Sequence, residues 1–146
     1  MGYYKDEVEV VAHNINNLTV TVDKDTTLTG IESVEIERKE DEVDTLETSD
    51  GLSIFVENPS KAGSIKIQML EASQETGKMW TLRKNNSFFA ISCMDAAIEN
   101  FDCSGKRFRI KKAPIIVRDK EPKMLEWECV TTYLKSEGGT WKLLED

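Results

Sequence analysis

The chain has 146 residues and a mass of 16.6 kDa, a size that fits one domain with a single hydrophobic core. Its 39% apolar and 32% charged residues exclude a disordered chain and predict a soluble globular protein. The longest uncharged run, residues 10–22, is short and contains Asn and His, so the sequence predicts no membrane-spanning segment. Acidic residues around Glu7 stand where a signal peptide needs apolar ones, and we expect no secretory signal.

The residues of catalytic and metal-binding motifs are scarce. Cys93, Cys103 and Cys129 form no Cys-x-x-Cys pair, which favours buried free thiols in a reducing compartment over a disulfide or zinc site. The single histidine, His13, has no metal-binding spacing and is expected to be an exposed strand residue. A Gly-x-Ser-x-Gly motif and a Gly-rich phosphate loop are both missing. We therefore expect no enzyme activity, no cofactor and no metal.

Charge is distributed very unevenly along the chain. Between Glu32 and Glu57 lie ten acidic and two basic residues, so this segment alone accounts for the net charge of −8. Between Lys106 and Lys123 lie eight basic and two acidic residues. A charged run is usually a solvated face, but two opposite runs in one small domain favour a head-to-tail contact between copies. Direct reading of nucleic acid is disfavoured, because the pI is about 4.8 and Phe108 is the one aromatic of the basic segment.

Short alternating runs separated by turn signals predict a mainly β protein, a sandwich or barrel. The first run spans residues 14–22 and ends in a turn at Asp23-Lys24-Asp25. The second spans residues 32–38, and the third, residues 64–70, alternates most regularly. In the last two runs the apolar residues share one face and the polar residues the other.

A long charged segment, Lys39 to Gly51, interrupts this pattern. It is too charged for a core and too long for a tight hairpin, so it is predicted to be an extended loop followed by the apolar run 52–56. The sequence also predicts one helix, Ser73 to Lys84, with Ser73 as its N-cap. Met79 and Trp80 should pack it against the sheets.

The C-terminal half is predicted to consist of strands again. The expected runs are residues 88–94, 108–110, 115–117, 125–134 and 140–144. Pro114 cannot donate a ladder hydrogen bond, so its surroundings are expected at a sheet edge or at the start of a strand.

This order of elements resembles bacteriophage tail tube proteins of the contractile-tail kind. The resemblance covers roughly His13 to Leu134 and rests on architecture, because such proteins share no invariant chemical motif. It is carried by six features in chain order. The first three are a strand with a glycine turn (residues 18–30), an acidic strand with its charged loop (31–52) and an alternating strand leading into the helix (63–84). The other three are a strand ending in Met-Asp (94–95), a basic strand pair (108–118) and a closing strand with Trp127 (125–134).

The resemblance implies a β-sandwich or barrel with one flanking helix, spanning residues 1–146 as a single domain. It further implies six copies in a ring and rings stacked into a hollow tube that guides double-stranded DNA without reading its sequence. Tape-measure, sheath, baseplate and tail-terminator proteins would be the partners, in a virion tail assembled in the host cytoplasm, with no membrane involved.

If the chain forms such a ring, the strand faces and the charge distribution predict two groups of site residues. The polar faces of the second and third runs would line the bore, with a net negative charge: Ser33, Glu35, Glu37, Lys66 and Gln68. Contacts between subunits or rings would use the acidic loop and the basic segment: Glu40, Asp41, Glu42, Asp44, Glu47, Lys106, Arg107, Arg109, Lys111 and Lys112.

Two other interpretations stay open at the level of sequence. The chain could be the tube of a phage-like bacteriocin or of a secretion apparatus, which have related tubes. It could also be a monomeric ligand-binding or adaptor β-barrel. Particle mass at high and low concentration separates this last alternative from a ring-forming protein.

Overall fold

The computed structural model describes residues 14–142, which form a mainly antiparallel β structure with one α-helix. His13 lies outside the described residues. A single 3-10 turn, Ile15–Asn17, precedes the first strand. The elements are β1 Leu18–Val22, β2 Thr26–Thr27, β3 Ile31–Arg38, β4 Val43–Glu47, β5 Ser53–Glu57, β6 Gly63–Leu70, α1 Thr76–Lys84, β7 Phe89–Asp95, β8 Ile98–Glu99, β9 Asp102–Ile110, β10 Met124–Thr131, β11 Lys135–Glu137 and β12 Thr140–Trp141.

The main sheet has the strand order β2-β1-β7-β9-β10-β6-β3, and β11 pairs with the first residues of β9. All of these pairs are antiparallel. Two small sheets, β4–β5 and β8–β12, lie outside this order. The predicted class, a mainly β sandwich with one flanking helix, is confirmed.

The core lies on one face of the main sheet, where alternate residues of each strand are buried. In β6, Ile65, Ile67 and Met69 are fully buried. They lie opposite Cys129, Trp127 and Leu125 of β10, which are equally buried. Burying one such aliphatic side chain stabilises the fold by about 1.5–3 kcal/mol relative to leaving it exposed. The strict alternation therefore fixes the register, since a slip of one residue would place these side chains in water.

The helix α1 begins at Thr76, three residues after the predicted N-cap. Ser73 instead lies within hydrogen-bond distance of Thr29, with 3.1 Å between the two hydroxyl oxygens. The predicted packing of Met79 is confirmed, and Leu82, which the sequence analysis did not name, is buried on the same side. Trp80 is partly buried and packs against the core.

Two segments differ from their predicted form. Residues 39–51 do not form a loop throughout, because they contain β4 and the turn that leads to β5. Residues 115–117 form no strand, and Ile115 is 81% exposed. The strand that follows it, β10, offers it no free edge, since β10 is flanked by both β9 and β6. Of the predicted last run, residues 140–141 form β12, and residues 143–144 lie outside the described part.

Candidate interaction surfaces

The most exposed element of the described chain is the hairpin formed by β4 and β5. We call residues 40–57 the acidic hairpin, because they contain seven acidic and no basic residues. Every one of these residues is exposed. The hairpin extends the antiparallel β3–β6 pair beyond the end of the main sheet, since β3 leads into β4 and β5 leads back into β6.

The hairpin carries apolar side chains on both of its faces. On one face Phe55 lies opposite Thr45, and Glu47 and Glu57 stand two residues away along their strands. On the other face Leu46 lies opposite Ile54. Phe55 is 78% exposed, and the exposed fraction of Leu46 is 52%. A two-stranded hairpin is marginally stable by itself, and exposed apolar groups on both of its faces are typical of an interaction surface.

Polar contacts hold the base and the tip of the hairpin in place. At the base, Arg38 Nε lies 3.1 Å from a carboxylate oxygen of Glu42, and Asn58 Nδ2 donates to Glu40 Oε2 at 2.7 Å. At the tip, Thr48 donates its hydroxyl to Asp50. This hydrogen bond is the main reason that the pKa of Asp50 lies below its ordinary value.

A groove of about 710 Å³ lies at the same end of the sheet as the hairpin. We call it the basic groove, because five basic and two acidic residues line it. The charged lining residues come from the ends of β3, β9 and β10 and the residues that follow them: Glu37, Arg38, Lys39, Arg107, Arg109, Lys111 and Glu128.

The aromatic ring of Phe88 stands in this groove and is 59% exposed. The guanidinium carbons of Arg107 and Arg109 lie 5.6 Å and 5.5 Å from its ring centroid. Both are therefore cation–π contacts, worth about 0.5–1 kcal/mol each at an exposed site. They hold two positive charges beside one exposed apolar ring.

Only part of the positive charge in the groove is neutralised within the chain. Lys111 lies 3.7 Å from Glu128, and Arg38 is paired with the hairpin through Glu42. Among residues 14–142, no carboxylate lies within 4 Å of the charged groups of Arg107 and Arg109. Arg38 Nη1 is buried and has no hydrogen-bond partner within the same part of the chain. The groove is therefore suited to an acidic partner.

The residues predicted to line a bore lie together on the outer face of β3 and β6. Ser33 lies opposite Gln68, with 3.2 Å between the Ser33 hydroxyl and Gln68 Oε1. Glu35 lies opposite Lys66, and Glu37 lies opposite Ser64. The structure thus brings the predicted residues onto one face.

The same face continues onto β10, where the sequence analysis assigned no site residue. Glu126 lies opposite Gln68, and Glu128 lies opposite Lys66. The alternation within β10 could have revealed them, since both stand between buried neighbours. They raise the acidic excess of this face.

The predicted contact residues are distributed over the two surfaces described above. The five acidic ones all belong to the acidic hairpin: Glu40, Asp41, Glu42, Asp44 and Glu47. Of the five basic ones, Arg107, Arg109 and Lys111 line the basic groove, whereas Lys106 and Lys112 are exposed but outside its lining. Phe88 and Arg38 were not predicted as site residues from the sequence, since no local motif marks either residue.

The three cysteines lie in the core and are free thiols. Burial raises the pKa of Cys93 and of Cys129 to about 12. They are inert at neutral pH, because the reactive species is the thiolate. Within residues 14–142, no group of three or more His, Cys, Asp or Glu is placed to hold a metal ion. Over the same range, no helix has the length and apolar character needed to cross a membrane.

Comparison with known proteins gives a likeness of fold and none of sequence. No protein-family model matches the chain, and no curated protein matches it. Among solved structures, the fold is similar to a chain in a cryo-EM structure of the sheath/tube terminator of an extracellular contractile injection system, PVC, in its extended state. The TM-score is 0.61 at 11% sequence identity, and the match covers 87% of this chain and 97% of the other. The chain therefore has the fold of a contractile injection system component.

Proposed function

We propose that this chain is a structural, non-catalytic subunit of a phage-tail-like contractile particle and that its copies assemble into rings. The observation that carries the proposal is the similarity of fold to a chain of a contractile injection system over 87% of the sequence. An acidic hairpin with exposed apolar groups and a basic groove on the same molecule also support it, because both features suit contacts between copies.

The sheet itself supports ring formation. The edge strand β3 pairs only with β6 among the described strands, so one edge of an eight-residue strand is open to a further strand. Open edges favour pairing with another chain, and joining sheets around a ring removes such edges. We propose a homohexamer, as in the tail tubes that the sequence resembles.

In this proposal the rings stack into a tail tube, and the outer face of β3, β6 and β10 lines its bore. Four acidic residues and one lysine lie on the described part of that face, and two of the acids, Glu37 and Glu128, also line the basic groove at its end: Glu35, Glu37, Glu126, Glu128 and Lys66. A negative lining repels phosphates and lets double-stranded DNA pass without adhering. The tube would belong to a virion tail assembled in the host cytoplasm, or to a phage-like bacteriocin or secretion apparatus, and would contact tape-measure, sheath, baseplate and terminator proteins.

A second candidate function is that of a terminator ring at the end of a tube. The structure in which the similar chain was found is a sheath/tube terminator, and nearly the whole of that chain is matched. In this alternative the rings would close one end of a tube and would not stack on one another.

The test is the particle mass of the purified chain at low and high concentration, combined with electron microscopy. Stacked rings support the tube, and single rings that bind tube ends without stacking support the terminator. A 16.6 kDa particle at every concentration would contradict both and support a monomeric binding protein.

A further inference from the structure

We infer that the basic groove is the docking site for the acidic hairpin of a second copy of this chain, with Phe55 of one copy set against Phe88 of the next. This inference rests on the proposed ring and names the contact between its neighbours. It is carried by the match between two groups of side chains.

The first group is the exposed face of the hairpin around Phe55. Phe55 is 78% exposed, and the carboxylates of Glu47 and Glu57 stand on the same face of the β4–β5 pair. This face therefore offers an aromatic ring with negative charges at both ends of it.

The second group is its counterpart in the groove. Phe88 is 59% exposed and has the guanidinium groups of Arg107 and Arg109 within 6 Å of its ring centroid. An aromatic ring with two acids beside it thus matches an aromatic ring with two arginines beside it. Contact would bury both rings. It would also give each arginine a carboxylate partner, which neither has within 4 Å among residues 14–142.

The position of the two surfaces determines how the copies are arranged. The groove is lined by Arg38 at the end of β3 and by Gly63 at the start of β6, and the hairpin leaves the sheet between these residues. Both surfaces therefore lie at the same end of the domain. Copies placed side by side can join hairpin to groove, whereas end-to-end stacking brings the hairpin to the opposite end of the next copy. The contact is therefore one within a ring, of the head-to-tail kind that closes by rotation.

Charge reversal provides the first test, in the full chain at low ionic strength. The variant with Arg107→Glu and Arg109→Glu should require at least about tenfold more protein for assembly, and so should the variant with Glu47→Arg and Glu57→Arg. A mixture of the two variants should assemble again, because each then offers a hairpin that matches the groove of the other. Lys24→Glu with Lys84→Glu is the matched control for the arginine variant, since it lowers the net charge by the same amount at exposed positions outside both surfaces.

Disulfide trapping provides the second test and does not depend on large assemblies. Chains with Phe55→Cys are mixed with chains with Phe88→Cys, so that any bond between the two positions must join different molecules. The native thiols are buried and should not interfere. We expect cross-linked peptides joining positions 55 and 88, and none joining position 55 to 115 when Ile115→Cys, at a more exposed position, replaces Phe88→Cys.

The outcomes separate this contact from the proposed function. Rings that form without a 55–88 cross-link, and that are indifferent to both charge reversals, would overturn the contact and leave the ring. A hairpin that cross-links to position 115 instead would likewise overturn it. A wild-type chain that stays monomeric at every concentration and gives no cross-link would overturn both.

Discussion

Glu35 lies directly opposite Lys66 in the β3–β6 pair, on the face of the sheet that is turned away from the core. On its other side Lys66 faces Glu128 of β10, so the lysine stands between two carboxylates. Neighbouring pairs of this kind contribute about 0.2–1 kcal/mol each. Their larger consequence is that this face keeps a net negative charge, because the one lysine does not offset the acids that surround it.

The first prediction concerns the place of this face in an assembled particle. We expect Ser33, Glu35, Glu37, Lys66 and Gln68 to line the bore and to give it a negative potential that extends about 8–10 Å at ordinary ionic strength. Cryo-electron microscopy of the assembled ring or tube would show their position. Glu35 and Glu37 on the outer wall, or a bore of positive net charge, would contradict the prediction.

The second prediction concerns the mobility of residues 39–51. In the free subunit these residues are exposed and belong to a hairpin with no core beneath it, so their amide hydrogens should exchange quickly. Docking on a neighbour should slow their exchange several-fold or more. Hydrogen–deuterium exchange by mass spectrometry would measure this, with the buried strand β6 as the reference that stays protected in both states. Equal exchange of residues 39–51 before and after assembly would refute the prediction.

The third prediction concerns the two tryptophans between helix and sheet. Trp127 is fully buried and meets Trp80 edge to face, with 4.9 Å between the ring centroids and 77° between the ring planes. Trp127→Ala should lower the free energy of unfolding by about 3–5 kcal/mol, because it leaves a large cavity and removes the aromatic pair. Urea denaturation followed by circular dichroism would measure the loss.

Phe55→Ala is the matched control for this variant, since it truncates an aromatic side chain that is exposed. It should change the free energy of unfolding by no more than about 0.5 kcal/mol. A similar loss in both variants would mean that the hairpin contributes to the core, contrary to its exposure along its whole length.

The fourth prediction concerns the buried thiols. In the folded chain the pKa of Cys93 and of Cys129 is about 12, whereas an unfolded cysteine has a pKa of about 8.5. The unfolded chain therefore loses thiol protons first as the pH rises. The stabilising contribution of the protonated thiols is complete below about pH 8.5 and declines as the pH rises from there towards 12.

Two measurements check this expectation. A thiol reagent at pH 8 should leave Cys93 and Cys129 unmodified in the native protein and modify them after unfolding in urea. Between pH 8 and 10, Cys129→Ala should lose less stability than the wild type. Rapid labelling of the native thiols, or an unchanged pH slope in this variant, would contradict the assignment.

Much of the fold followed from local patterns in the sequence. Alternation in β3 and β6 predicted which side chains face the core, because a strand with one buried face allows a single register. Alternation could not reveal that residues 115–117 stay outside the sheet, since strand formation also needs a free edge and the next strand, β10, is already flanked on both sides. The same local pattern gave no sign that part of the charged segment 39–51 pairs with β5.

The candidate site divides in the same way. The charges of the acidic hairpin and of the basic segment could be predicted from the sequence alone, because the charged residues of each segment lie close together along the chain. The groove was not, because Arg38, Phe88 and Arg109 are far apart in sequence and meet only through the sheet that joins β3, β7 and β9. Sequence by itself determined the sign of the two surfaces, through the order of the residues. Tertiary structure decided the shape of the two surfaces and placed both at the same end of the domain, since only strand pairing sets the distances between residues that are remote in sequence.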